Sequence, residues 1–201
     1  MTRLVLSSRN KGKLVELQRM LATIAPHIKP VSVSDFPEIS DVEETGATFE
    51  ENALLKAETI AMKTGLAAIA DDSGLCIDAL NGAPGVLSAR WSGEHGNDRA
   101  NLEKVLKEIE DVQPDKRQGK FVSVVALALP DGRTEICRGE IHGVIRYSPV
   151  GDGGFGYDPI FQPDGYDITM AQLSADEKDR ISHRGRAMRE IAPVIAQLLS
   201  E

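Results

Sequence analysis

The sequence predicts an α/β protein: a long mixed central β-sheet flanked by helices. Three observations lead there. Short apolar runs at residues 4–6 and 67–70 alternate with segments whose apolar residues recur at helical spacing. Residues 121–129 form the clearest strand, and Asp131-Gly132 just beyond them is a strong hairpin signal. Antiparallel pairing at that hairpin, beside earlier strands connected through helices, requires a sheet containing both strand directions.

Residues 4–6 make the first strand. Ser8, Arg9, Asn10, Lys11, Gly12 and Lys13 follow it, and residues 14–21 then show helical periodicity. A strand, a polar turn with Gly and a helix together aim backbone N–H groups at an anion. Lys13 falls in the first helical turn, where a cation is unfavourable unless a negative ligand compensates it. The spacing is not that of a Walker A loop, and the segment fits a surface turn as well as a phosphate loop. Residues 30–33 read as a second strand, and 35–47 as irregular and acidic. Thr48-Phe49-Glu50-Glu51 is a capping box, opening a helix that runs to about Thr64 and stops at Gly65. Ala53, Leu54, Ala57, Ile60 and Ala61 form its core face, while Asn52 and Lys56, four apart, share another. Lys56 reads either as a solvated helix residue or as a phosphate partner. Its helix begins beside Glu44 and ends beside the strand that leads to Asp72.

That strand runs into Asp71-Asp72-Ser73-Gly74. It is expected to end there, with two acids projecting and Ser73-Gly74 making a sharp turn. Alone, the tetrad reads as an acidic surface turn. Glu43 and Glu44 add hard oxygen donors from a second segment, a combination that suits Mg2+, which takes one or two carboxylates and leaves other positions to water and phosphates. The loop around residues 82–91, with the single Trp91, fits a structural turn as well as a ligand role. Residues 97–111 read as a helix with Asp98 near its cap and Leu102, Val105, Leu106 and Ile109 inward. Residues 112–118 read as an exposed polar loop. Beyond the hairpin, residues 134–138 and 141–146 return as the partner strand, kinked at Gly139.

The stretch from Gly151 to Phe161 holds four glycines, which permit unusual backbone angles and close approach to a ligand. Phe155, Gly156, Tyr157 and Asp158 lie within it, and two aromatics with an acid can stack on and orient a base. Ser174-Ala175-Asp176-Glu177 is another capping box and starts a short helix carrying Lys178. Ser182, His183 and Arg184 break or re-cap it, and a last helix runs to about Leu199, kinked or restarted at Pro193. His183 and Arg184 read as surface residues or as part of the cavity that the glycine loop faces.

The chain has 201 residues, 41% hydrophobic and 27% charged, and one domain over 1–201 is expected. A formal net charge of -8 argues against general nucleic-acid binding, but local Lys and Arg clusters leave small anions open. No apolar run spans a bilayer, and Met1-Thr2-Arg3 leads into a strand rather than a signal peptide, so a cytoplasmic location is expected. Cys76 and Cys137, the two cysteines, are read as buried reduced thiols.

Six of these segments occur in the order and spacing of one family: residues 8–13; Glu43-Glu44-Thr45-Gly46 with Phe49 and Glu51-Asn52-Ala53; Ala70 to Leu75; Gly82-Ala83-Pro84-Gly85; Gly153 to Pro159; and Ser182-His183-Arg184-Gly185. Together they resemble the inosine triphosphate pyrophosphatases, the HAM1-like family of non-standard purine triphosphate (dITP/XTP) pyrophosphatases. Ser7-Ser8-Arg9 departs from the small residue, Thr and Gly that many members carry there. The resemblance implies two lobes around a central active-site cleft, a homodimer, and Mg2+-dependent hydrolysis of ITP, dITP and XTP to the monophosphate and pyrophosphate. It implies Asp72 as general base and metal ligand, and Glu43 as second metal ligand, with the adjacent Glu44 as the alternative. It implies Ser8, Arg9, Asn10, Lys11, Gly12, Lys13 and Lys56 on the triphosphate. Ser73, Phe155, Gly156, Tyr157, Asp158, Lys178, His183 and Arg184 would take the nucleoside and base. A Mg2+ phosphatase of other nucleotides and a non-catalytic nucleotide-binding regulator remain the competing readings.

Overall fold

A computed structural model describes residues 2–199. Within them six strands form one sheet in the order β2-β1-β3-β4-β5-β6: β1 Thr2–Leu6, β2 Ile28–Ser32, β3 Ala67–Ile77, β4 Gln118–Ala128, β5 Thr134–Ile145 and β6 Phe161–Pro163. The helices are α1 Lys11–Ile24, α2 Phe49–Thr64, α3 Asp98–Glu108, α4 Ala175–Ile181 and α5 His183–Leu198. Pairing is parallel where helices make the crossover: Val5 of β1 faces Val31 of β2 on one side and Ala68 of β3 on the other. It is antiparallel between β5 and β6, where Val144 faces Gln162. The sheet is therefore mixed, as expected. The strand expected over residues 4–6 begins earlier, at Thr2; Met1, part of the segment expected to lead into it, lies outside the described residues.

The chain divides into two compact units. The first comprises Met1–Asp72, Ser123–Gly139 and Arg184–Glu201, and the second Ser73–Val122 and Glu140–His183. In the first, Leu4 and Leu6 of β1, Ile69 of β3 and Leu127 of β4 pack with Leu17 and Leu21 of α1 and Met188 and Ile191 of α5. In the second, Leu75, Phe121, Ile141 and Phe161 pack with Leu102, Val105 and Ile109 around α3. Cys76 and Cys137 are half-buried, and burial pushes the Cys137 thiol up to about 11.

The capping box at Thr48 forms as predicted: the Thr48 hydroxyl accepts the Glu51 N–H at 3.2 Å, and Glu51 accepts the Thr48 N–H at 3.3 Å. Gly65 ends the helix at φ 64°, and its N–H caps the Ala61 carbonyl. Several expectations are corrected. β3 does not end at the acids but continues through Ser73-Gly74 to Ile77, because both carboxylates find partners inside the protein. β5 runs unbroken past Gly139; the glycine that matters is Gly143, where a Cβ would lie 2.2 Å from the Gln162 carbonyl of β6. α5 continues through Pro193, so no new first turn begins there. Leu54 and Leu106 are half-buried rather than core residues.

The stretch predicted as an exposed loop at 112–118 contains one of the most buried cations in the chain. Arg117 is 2% exposed. Its guanidinium donates to the carbonyls of Ile145 at 2.9 Å, Ile109 at 2.5 Å and Arg146 at 3.2 Å, and lies 4.1 Å from the Tyr147 ring centroid. Charged donors to carbonyls are stronger than neutral ones, so Arg117 ties the end of α3 to the end of β5. Arg117→Met leaves these carbonyls short of donors and is expected to destabilise by about 3 kcal/mol, lowering Tm by roughly 10 °C. Arg117→Lys recovers little, because an ammonium lacks the fork geometry. Thermal denaturation checks this, and a Tm within about 3 °C of wild type refutes the role.

Candidate active site

In the first unit, four segments bring polar and charged groups onto Asp71 and Asp72, in the middle of β3. Asp71 and Asp72 are adjacent in a strand, so their side chains take opposite faces. Each is almost fully buried. Asp71 Oδ2 accepts from Lys13 Nζ at 3.2 Å and from Arg184 Nε at 3.1 Å, and Arg184 Nη1 also pairs with Glu16. Asp72 Oδ2 accepts from Asn52 Nδ2 at 3.1 Å, while its Oδ1 lies 3.4 Å from Lys56 Nζ. The same Lys56 ammonium donates to Glu44 Oε1 at 2.8 Å and to the Asp71 carbonyl at 2.9 Å.

Local sequence explains how these groups arrive. Asn10 is the N-cap of α1: its Oδ1 accepts the Lys13 N–H at 3.0 Å, while its own N–H donates to Ser8 Oγ at 3.2 Å. The cap starts the helix at Lys11, so Lys13 sits in its first turn and Glu16 one turn on. Asn52 and Lys56 share one face of α2, as their spacing predicted. Asn52 also accepts the Gly46 N–H at 2.8 Å, and a Cβ at Gly46 would come within 2.7 Å of that oxygen. The chain carrying Glu44 is thereby pinned to the start of α2.

The two aspartates respond oppositely to this surrounding. Burial alone raises a carboxyl pKa. At Asp72 burial prevails over Lys56 and Lys13, and the pKa stands above the ordinary value. At Asp71 burial is outweighed by Lys13, Arg184 and Lys56, which hold its carboxyl well below the carboxylate range. Burial lowers the Lys13 pKa against the pull of Asp71, whereas at Lys56 burial is overcome by Asp72, Glu44 and Asp71.

Other predicted residues fall elsewhere. Arg9 turns to Asp41 and donates to the Ile39 carbonyl at 2.6 Å, and Lys11 is exposed. Glu44, not the exposed Glu43, pairs with Lys56. The sequence reading missed Asn52 and Glu16 as site residues. Asn52 was signalled by its place one turn before Lys56; Glu16 carried no signal, since its partner Arg184 is 168 residues away.

In the second unit, the glycine loop is held from below. Asp158 Oδ2 accepts the Phe155 N–H at 2.9 Å and Lys178 Nζ at 2.6 Å, and the Lys178 ammonium lies 4.9 Å from the Phe155 ring centroid. His183 stacks on Phe121 with ring centroids 4.8 Å apart and planes 14° apart. Tyr157 corrects the expectation of two stacking aromatics. It is 5% exposed, its hydroxyl donates to the Ser88 carbonyl at 2.8 Å, and burial raises its pKa. Phe155 and Gly156 are half-buried, as is Ser73 in β3.

Comparison with known proteins places this arrangement. The Ham1 family profile matches residues 4–194. A dITP/XTP pyrophosphatase of Streptomyces avermitilis is 53% identical over 199 residues, covering 99% of this chain and 100% of that one. The solved structure of a HAM1 protein from Coxiella burnetii superposes with a TM-score of 0.87 at 42% identity, covering 98% of this chain and 100% of that chain. The Ham1 protein of Staphylococcus aureus gives 0.86 at 41% identity, with the same coverage. With the profile covering nearly its whole length and the fold shared end to end, this chain belongs to the Ham1 family.

Proposed function

We propose that this protein hydrolyses the non-standard purine nucleoside triphosphates dITP, ITP and XTP to the nucleoside monophosphate and pyrophosphate, as one catalytic domain over residues 1–201. The observation that carries this reading is the Asp72 cluster. A buried carboxylate of raised pKa stands against Asn52 and Lys56, with Glu44 on the same ammonium and Lys13 on the neighbouring acid. Full-length similarity to a dITP/XTP pyrophosphatase supports the substrate class.

The residues present fit a magnesium ion. Glu44 and Asp72, from separate segments, already converge on one cationic centre, the Lys56 ammonium. Among the described residues no group of three or more His, Cys, Asp or Glu forms a metal cage. That donor set suits Mg2+, which takes one or two carboxylates and completes its shell with water and substrate phosphate. Asp72 and Glu44 would hold it, with Glu43 one residue away. When bound, the ion polarises phosphoryl oxygens and lowers the pKa of water.

The chain's own residues do the rest. Asp72 accepts the proton of the water that attacks the α-phosphorus, and Asn52 fixes the orientation of its carboxylate. Lys56 and Lys13 neutralise charge that develops on the departing pyrophosphate, with the α1 N-terminus and the Ser8–Asn10 turn behind Lys13. Phosphoryl transfer rests on positioning and electrostatics, so no covalent nucleophile is required. Phe155 stacks on the base, while Lys178 and His183 present donors to the 6-oxo group that hypoxanthine and xanthine carry and adenine lacks. Arg184, committed to Asp71 and Glu16, serves this reading by holding Asp71 ionised. A homodimer acting on the cytoplasmic nucleotide pool completes the proposal; no helix among the described residues is long and apolar enough to cross a membrane.

The direct experiment is a panel of dITP, ITP, XTP, ATP and GTP with separate detection of pyrophosphate and orthophosphate, with Mg2+ and after chelation. Pyrophosphate from the first three, lost on chelation, is expected. Orthophosphate release refutes attack at the α-phosphorus. Asp72→Asn removes the proton acceptor in a nearly isosteric step and is expected to lower kcat by about 100-fold or more, with Tm little changed. Activity within a few-fold of wild type rules Asp72 out as the base. Lys13→Ala is expected to reduce kcat/KM for dITP by about 10-fold or more while inosine monophosphate binds nearly as before. An unchanged kcat/KM would leave Lys13 as a partner of Asp71 only.

A further inference from the structure

The glycine loop carries Phe155, yet no strand ladder fixes its tip; side-chain oxygens take the N–H groups there. Gly154, at φ 71°, packs so closely on Asp158 that a Cβ would lie 2.1 Å from Oδ2. The Phe155 N–H is held by that same Asp158 oxygen, from within the loop's own segment. The next N–H, of Gly156 at φ 62°, is held at 2.9 Å by Oδ2 of Asp98, which comes from 58 residues away. Asp98 is the first residue of α3, directly after the Asn97 N-cap. Its helix is anchored in the second unit's core by Leu102, Val105 and Ile109, in the same cluster as Tyr157.

From this geometry we infer that Asp98 is a positioning residue for purine binding: it holds the Gly156 N–H and so fixes the backbone that aims the Phe155 ring at the base. The inference rests on the proposed reading of Phe155 as the stacking residue. Two consecutive peptide groups on either side of Phe155 are each fixed by a carboxylate. Asp158 belongs to the loop's own segment and is tied to Lys178 of α4, whereas Asp98 is what references the tip to α3. Carboxylate hydrogen bonds to backbone N–H are among the stronger ones available. Orienting an aromatic wall before the substrate arrives lowers the entropy lost on binding. The effect belongs to substrate binding and not to the chemical step, because Asp98 acts through the Gly156 backbone beside Phe155.

Three substitutions separate this role from a helix-stabilising charge. Asp98→Asn keeps an oxygen acceptor at the same reach but removes the charge; Asp98→Glu keeps the charge at the helix start but carries it one methylene further; Asp98→Ala removes both. KM for dITP is expected to rise about tenfold in the Ala and Glu variants and stay within about threefold in Asn, with kcat within about threefold throughout. Inhibition by inorganic tripolyphosphate, which has no base, is expected to be unchanged. Amide exchange of Gly156, followed by NMR on the full chain, is expected to speed up about tenfold in Ala and Glu. The Leu75 N–H, held by Ser88 Oγ at 2.9 Å, stays protected. Rescue by Glu and not by Asn assigns the residue to helix charge and overturns the inference. So does unchanged Gly156 exchange, a KM within about twofold in Ala, or an equal loss of tripolyphosphate inhibition. Absence of triphosphate turnover by the wild type sinks the proposed function instead, and the exchange measurement still judges the hold of Asp98 on Gly156.

Discussion

One carboxylate oxygen, Asp71 Oδ2, is the point on which the charged cluster of the first unit depends. It accepts from Lys13 on α1 and from Arg184 on α5, and Glu16 takes the other end of Arg184. None of these groups is tolerable in the interior alone, since an uncompensated buried charge costs about 3–5 kcal/mol. Their mutual pairing therefore fixes two helix starts against β3. Lys13 held this way has little freedom left, because its orientation is set by Asp71.

Strand alternation then separates two chemically identical neighbours. Asp71 faces two cations and stays ionised. Asp72 faces one lysine, a second acid and the neutral amide of Asn52, and burial lifts its pKa. Adjacent carboxylates are thus pushed in opposite directions: Asp71 is a fixed anion that holds the frame, and Asp72 is the acid that burial makes harder to ionise. The continuity of β3 through Ser73-Gly74 makes this sorting possible. A turn after Asp72 would have freed both acids to solvent.

The second unit solves a different problem, holding a glycine-rich loop without a regular ladder. Asp158, Asp98 and Ser88 supply the acceptors, and Lys178 balances the buried Asp158. The glycines answer to this packing. At Gly153 a Cβ would sit 2.6 Å from the Ala171 carbonyl, so the chain can lie against it only without a side chain. Tyr157, which the sequence offers as a base-stacking ring, is instead a core residue tethered by its hydroxyl to Ser88.

Local signals in the sequence determined the α/β class, the mixed sheet, the capping box at Thr48, the stop at Gly65 and the hairpin at Asp131-Gly132. These follow from periodicity, capping and turn chemistry, which act over a few residues. Lys13 in the first turn of α1 and Lys56 one turn after Asn52 on α2 were legible for the same reason, whereas Asp72 lies inside β3 and not at the strand end the sequence suggested. The tertiary structure alone decided which of Glu43 and Glu44 meets Lys56, that Arg184 belongs to Asp71 and Glu16, that Arg117 is buried, and that Tyr157 is core while Phe155 remains half-exposed. Each of those outcomes depends on a partner between 8 and 168 residues away in the chain. The energy of burying a charge or hydroxyl is set by that partner, and local sequence carries no information about it.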